Sequence, residues 1–225
     1  MATKSNNIKK MSVIAVLCAI AYLVSLVFPF KVQFLTFDLK DAIIAISALM
    51  YGPVAGLISS VIVPFIEFIT TSETGVYGFI MNFLSSAAFS VSAGFIYKYR
   101  KSFSGAIISM CASVFAVTAV MLIANLFITP YYMHVPREMV VELIPALLLP
   151  FNLIKSVVNA SLTLLIYKPI TAAFGRMRLT ERKVYDKSQG LRSILLMVCS
   201  LAIAAGAIFV FVLCLVVRSK FKNYY

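Results

Sequence analysis

The sequence predicts an all-α membrane protein, a six-helix bundle followed by a seventh, C-terminal transmembrane helix. Three observations carry that expectation. Of 225 residues, 62% are hydrophobic and only 12% charged, with a mean hydropathy of +0.99, so the chain cannot cover itself with a water-soluble surface. Its apolar runs approach or exceed the ~20 residues that a helix needs to cross a hydrocarbon core. Most of its 20 Lys and Arg fall in short clusters between those runs, where basic residues fix orientation in a bilayer. The net charge of +12 is therefore read as membrane orientation rather than nucleic-acid binding.

The elements follow in order. Met11–Phe30 carries no charge and forms the first span. The stretch Leu39–Ser72 would run to about 50 Å as one helix at roughly 1.5 Å per residue, too long for one crossing. It is expected to break at Tyr51-Gly52-Pro53, because proline lacks a donor and disfavours helical geometry before it. Two short helices in a hairpin result. That division places the clusters Lys4–Lys10, Lys98–Lys101 and Lys168–Arg192 on one side, the cytoplasmic one, together with the N-terminus. Treating the stretch as a single span would reverse the bias. Further spans are expected at Val76–Tyr97, Ser104–Ile128 and Leu143–Tyr167. The predicted organisation is thus a six-helix membrane domain over 1–168, a basic cytoplasmic linker over 169–192, an additional helix over 193–217 and a tail over 218–225.

Cys18, Cys111, Cys199 and Cys214 lie in apolar runs without paired spacing and read as small buried hydrophobes. Ala15 and Ala19 on the first span, and Gly52 and Gly56 after the hairpin turn, have the spacing that lets helices approach closely. Such a pair serves internal packing or a face for a partner protein. The segments Pro29–Asp41, Thr70–Gly75 and Thr129–Glu142 face outward on this topology, and loops that converge on one mouth can hold a ligand.

Lys155 is the most informative residue. It lies in PFNLIKSVVNAS, where a cation costs a few kcal/mol unless paired or wetted. Asn152 and Asn159 share its helical face. It is either a ligand donor or a lysine that snorkels to water. Asn125 and Asn82 are amides near outer helix ends, available to a ligand or to a neighbouring helix. Glu67 is an acceptor for a ligand or an interfacial charge. Asp38 and Asp41, flanking Lys40, read as capping carboxylates at a helix start, and this capped loop would present Thr36 and Phe37, the phenyl ring offering a stacking face. His134 reads as a solvated loop residue. No phosphate loop, dinucleotide fingerprint, zinc motif or triad is legible, so the chain is not read as an enzyme and needs no resident cofactor.

The series LTFDLKD, YGPVAG, NFLSSA, ANLFITPYY and PFNLIK, in that order over roughly Met11 to Tyr167, resembles the riboflavin-specific S component of energy-coupling factor (ECF) vitamin transporters. The resemblance implies a six-helix fold that holds riboflavin near the outer face, with Asn125 and Lys155 as ligand contacts and Asn82, Thr36, Phe37 and Asp38 around the pocket. It implies a transmembrane T component that docks on Ala15 and Ala19, and two ATPases that hydrolyse ATP elsewhere. The seventh run departs from that pattern. Another vitamin, FMN or a nucleobase-like ligand, a lipid-directed membrane enzyme and a stand-alone carrier remain the alternatives.

Overall fold

The computed structural model describes residues 2–27, 30–32 and 34–176. The helix expected over 193–217 and most of the linker before it lie outside the described residues. The order is α1 (Ala2–Val27), strands β1 (Phe30–Val32) and β2 (Leu35–Phe37), then α2 (Lys40–Tyr51), α3 (Pro53–Thr70), α4 (Gly75–Tyr99), α5 (Phe103–Met133), α6 (Arg137–Leu143), a π-helical turn (Ile144–Leu148) and α7 (Leu149–Arg176). Among the described residues, five helical segments are long and apolar enough to cross a membrane. This is a multi-pass membrane protein.

The break in the second apolar stretch falls where proline chemistry places it. Gly52 adopts φ 96° and ψ 174°, a conformation reserved for glycine, and Pro53 opens α3 at a position where its missing N–H is not required. The arm on the N-terminal side, α2, has only 12 residues, of which every one from Lys40 to Leu49 is buried. A helix apolar on all sides belongs inside, and α2 is packed against α1, α3, α4 and α7. Its approach to α3 and α4 is close: a Cβ added at Gly56 would lie 2.7 Å from that of Ala48, and one at Gly94 would lie 3.0 Å from it. Gly56 therefore serves internal packing. Paired serine hydroxyls, Ser47 with Ser59 at 3.0 Å and Ser60 with Ser90 at 2.9 Å, join the same three helices.

The helix α1 begins at Ala2, ahead of the expected Met11, and two later helices run well past their expected ends. α5 continues past Ile128 to Met133 despite Pro130. Pro130 cannot donate to the carbonyl of Leu126, and Arg137 Nε donates to that oxygen instead, at 3.3 Å, with its guanidinium 4.8 Å from the Phe127 ring. The outward loop expected over Thr129–Glu142 thus shrinks to a short bend around His134, which is exposed and left-handed at φ 53°. α7 likewise continues through Pro169 to Arg176, past the expected start of the linker. Its Lys168 ammonium lies 4.4 Å from the Phe103 ring of α5.

Of the cysteines among the described residues, Cys18 is buried but Cys111 is exposed, because position 111 falls on the outer face of α5 with Ile108 and Phe115. The core between α4, α5 and α7 is built from Phe89, Ala93, Met110, Val117 and Met121, with Tyr97 and Tyr167 packed edge-on at one end.

Candidate functional site

At the end of the bundle opposite Gly52, β1 and β2 form a short antiparallel hairpin with Lys31 opposite Thr36 and Val32 opposite Leu35. Two three-residue strands cannot hold this geometry alone. The hairpin is instead pinned by α7: Lys155 Nζ donates to the carbonyl of Thr36 at 3.1 Å and to Asp38 Oδ2 at 3.0 Å, and the Phe37 ring packs edge-on against Phe151.

A buried chain of charge runs on from there. Lys40 Nζ lies 3.5 Å from the same Asp38 oxygen and forms a short ion pair with Glu67 on α3, to which Asn82 Nδ2 of α4 also donates, at 3.4 Å. Burial alone would push the Asp38 carboxyl up, but the Lys155 and Lys40 ammoniums outweigh it and hold that group below the usual carboxylate range. Asp41 accepts from Ser85 and Ser86 of α4.

The expected capping by Asp38 and Asp41 is not what the structure contains, since Asp38 pairs with the Lys155 and Lys40 ammoniums, Asp41 accepts from serines of α4, and α2 has no side-chain cap at Leu39. The start of α2 is satisfied from α7. Asn159 Oδ1 accepts from the Ala42 N–H at 2.9 Å, while Asn159 Nδ2 donates to the carbonyls of Asp38 and Lys155, each at 3.0 Å.

Two adjoining cavities open beneath the hairpin. The first lies between α4, α5 and α7 and has a volume of about 710 Å³, its open mouth included. Thr36, Asn82, Asn125, Asn152 and Lys155 supply much of its polar lining, and Tyr77, Met81, Met121, Ile128, Tyr132 and Phe151 much of its apolar lining. Asn125 is wholly buried in its floor, donating to the Met121 carbonyl at 2.7 Å and accepting from Thr129 at 2.8 Å. Asn152 Nδ2 donates to the carbonyl of Leu148 at 2.7 Å, which orients its amide oxygen as the remaining acceptor. The π-helical turn just before it, which contains Pro145 and is followed by Pro150 in α7, sets the rotation at which Asn152 and Lys155 meet the cavity. A cleft that is mostly apolar with a few convergent polar groups is the usual form of a small-molecule site.

Residues 9–167 match the model of a family described as the ECF transporter, substrate-specific component. The chain belongs to that family. This S component is 31% identical over 164 residues to the riboflavin transporter FmnP of Bacillus subtilis strain 168, covering 68% of this chain and 86% of the relative. It is 28% identical over 170 residues to the riboflavin transporter RibU of Staphylococcus aureus strain TCH60, covering 71% and 89% respectively. Its fold matches a solved structure titled as the structure and mechanism of the S component of a bacterial ECF transporter, with a TM-score of 0.64 and 28% identity over 75% of this chain and 98% of that one.

Within this S component, Asn125, Asn152, Lys155, Asn82 and Thr36 border the first cavity, and Asp38 and Glu67 border the second. Phe37 borders neither. Its alternation with Thr36 turns it onto Phe151, and Phe34 at the hairpin turn provides the nearby aromatic surface instead. Ala15 and Ala19 are exposed on the face of α1 opposite its buried Val13, Leu17 and Ala21. Sequence reasoning missed Tyr77, Met81 and Met121, whereas Tyr132 lies in the outward segment Thr129–Glu142 that it singled out. The signal was present: Tyr77, Met81 and Ser85 recur every four residues beside Asn82, as Met121 and Thr129 do about Asn125.

Proposed function

We propose that this chain is the riboflavin-binding subunit of an ECF transporter. The first cavity is the observation that carries this reading. Aromatic and thioether walls suit a flat heterocycle, and amides with one lysine at the floor and side suit its carbonyl and ring-nitrogen edge. The names of the two curated relatives support the same ligand. The hairpin end faces outside, in keeping with basic clusters at the other end, and the N-terminus is cytoplasmic. The chain performs no catalytic step and keeps no resident cofactor; a T component and two ATPases power release inward.

Purified protein is expected to be yellow, or to quench added riboflavin fluorescence with nanomolar affinity and one site per chain. Absence of quenching at micromolar protein would overturn the ligand assignment.

A second expectation concerns the partner. Ala15 and Ala19 lie one helical turn apart on an exposed strip whose small side chains admit another helix. Replacing both with leucine should leave riboflavin affinity within about twofold while abolishing uptake by cells that contain the partners, since the added bulk meets only the partner. Uptake at the normal rate would remove this face from consideration.

A further inference from the structure

Charge is divided between the two ends of the bundle. The carboxylates Asp38, Asp41, Glu67, Glu73, Glu138 and Glu142 all lie towards the hairpin end, and among the described residues the opposite end has none. Lys40, Lys155 and Arg137 at the hairpin end are committed, the lysines to Glu67 and Asp38 and the arginine to the Leu126 carbonyl and the Phe127 ring. The opposite end is basic from Lys9 and Lys10 on α1 to Arg176 on α7, and its densest point is the connection between α4 and α5. Lys98, Arg100 and Lys101 fall there within four residues, all exposed, and among the described residues none of the three side chains has an ion pair or hydrogen bond. Lys168 of α7, over the Phe103 ring, adds a fourth cation to this turn. Like charges so close repel one another, and an anion brought among them relieves that repulsion.

The same turn has an apolar flank. Phe95 and Tyr99, one helical turn apart on α4, are 55% and 73% exposed and pack edge-on with ring centroids 5.4 Å apart. Exposed apolar side chains continue along α5 at Ile108 and Phe115. A tyrosine at the end of a membrane helix settles at the level of the lipid headgroups, its ring in the apolar layer and its hydroxyl in the wet one. The cations that adjoin Tyr99 therefore stand at headgroup depth. Orientation of the chain needs only a surplus of cations on one side. Cations without acids, set above an exposed aromatic pair, also match one amphipathic molecule, with a phosphodiester above and acyl chains below.

We infer that the α4–α5 turn is a binding site for an anionic phospholipid. Arg100 takes two phosphate oxygens, Lys98 and Lys101 supply point charges, and Phe95 and Tyr99 flank the upper part of the acyl chains. A zwitterionic headgroup brings its own cation into this space and gains less. Since α1 packs on α2 and α3, the lipid leaves the Ala15 and Ala19 face open.

The test is native mass spectrometry of the purified full-length chain, released from micelles that contain equal amounts of phosphatidylglycerol and phosphatidylcholine with the same acyl chains. The unaltered protein should retain the anionic lipid about fivefold over the zwitterionic one. Replacing Lys98, Arg100 and Lys101 together with glutamine should bring that ratio close to unity, whereas Lys9→Gln with Lys10→Gln should leave most of it. Equal losses in the two variants overturn the site in favour of diffuse attraction to the whole basic end. Millimolar inorganic phosphate should not displace the lipid, because it lacks acyl chains, and displacement overturns a lipid as the occupant. Equal retention of both lipids by the unaltered protein overturns the inference and leaves the turn to an acidic surface of a partner protein. Should the triple variant fail to fold, Arg100→Gln alone decides: a fall of about twofold in the ratio supports the site and an unchanged ratio overturns it.

Discussion

Lys155→Ala is expected to weaken riboflavin binding by on the order of a hundredfold and to lower stability by about 3 kcal/mol, because the change breaks a buried ion pair and leaves Asp38 short of a partner. Both effects arise from one ammonium with two tasks. It borders the first cavity and it holds the hairpin over that cavity through Thr36 and Asp38. Fluorescence titration reads the first and thermal unfolding in detergent the second. The tasks separate in a double variant: Lys155→Met with Asp38→Asn removes both charges, so stability should largely return while affinity does not. Affinity that recovers with stability would show that Lys155 acts only as a tether. Unchanged binding in Lys155→Ala would remove it from the site altogether.

Asn159→Leu should cost the protein about 3 kcal/mol without touching the cavity wall, since three hydrogen bonds vanish and a buried N–H of Ala42 loses its side-chain acceptor. For a chain of this size that is a fall of roughly 6–12 °C in Tm. Riboflavin affinity should fall much less than in Lys155→Ala, because Asn159 lines neither cavity. A melting point within a degree of the unaltered protein would mean that α2 does not depend on α7 for its first turn.

These two residues, one helical turn apart, also mark the limit of what the sequence discloses. The helices expected before residue 168, the Gly52-Pro53 break and the inward polar stripe of Asn152, Lys155 and Asn159 follow from composition and periodicity, and the structure contains them. The division of labour within that stripe does not follow. Whether an amide in a membrane helix faces a ligand or the end of another helix depends on which backbone groups arrive beside it, and those of α2 lie more than a hundred residues away in the chain. The same blindness produced the capping assignment for Asp38 and Asp41. Carboxylates at a helix start look like local caps until Lys155, Lys40 and two serines of α4 are brought alongside. The shortened outer loop has a comparable cause, because the Leu126 carbonyl that Pro130 leaves without its helical donor is met by the Arg137 side chain, a partner that periodicity does not show.

The wrapped position of α2 carries a consequence for how the protein is made. Twelve residues cannot cross a bilayer of about 30 Å, and Lys40 and Asp41 would each cost about 3 kcal/mol near its centre, so α2 cannot enter the membrane as an independent unit. It can enter joined to α3 through the Gly52 turn, because α3 brings Glu67, the partner of Lys40. Asp41 must then wait for the serines of α4, and the first turn of α2 for Asn159 of α7. The centre of the bundle is therefore the last part to reach its final form during biosynthesis. A ribosome that stalls before α7 has emerged would leave a nascent chain with the first turn of α2 unsealed, which is the intermediate that membrane quality control should recognise.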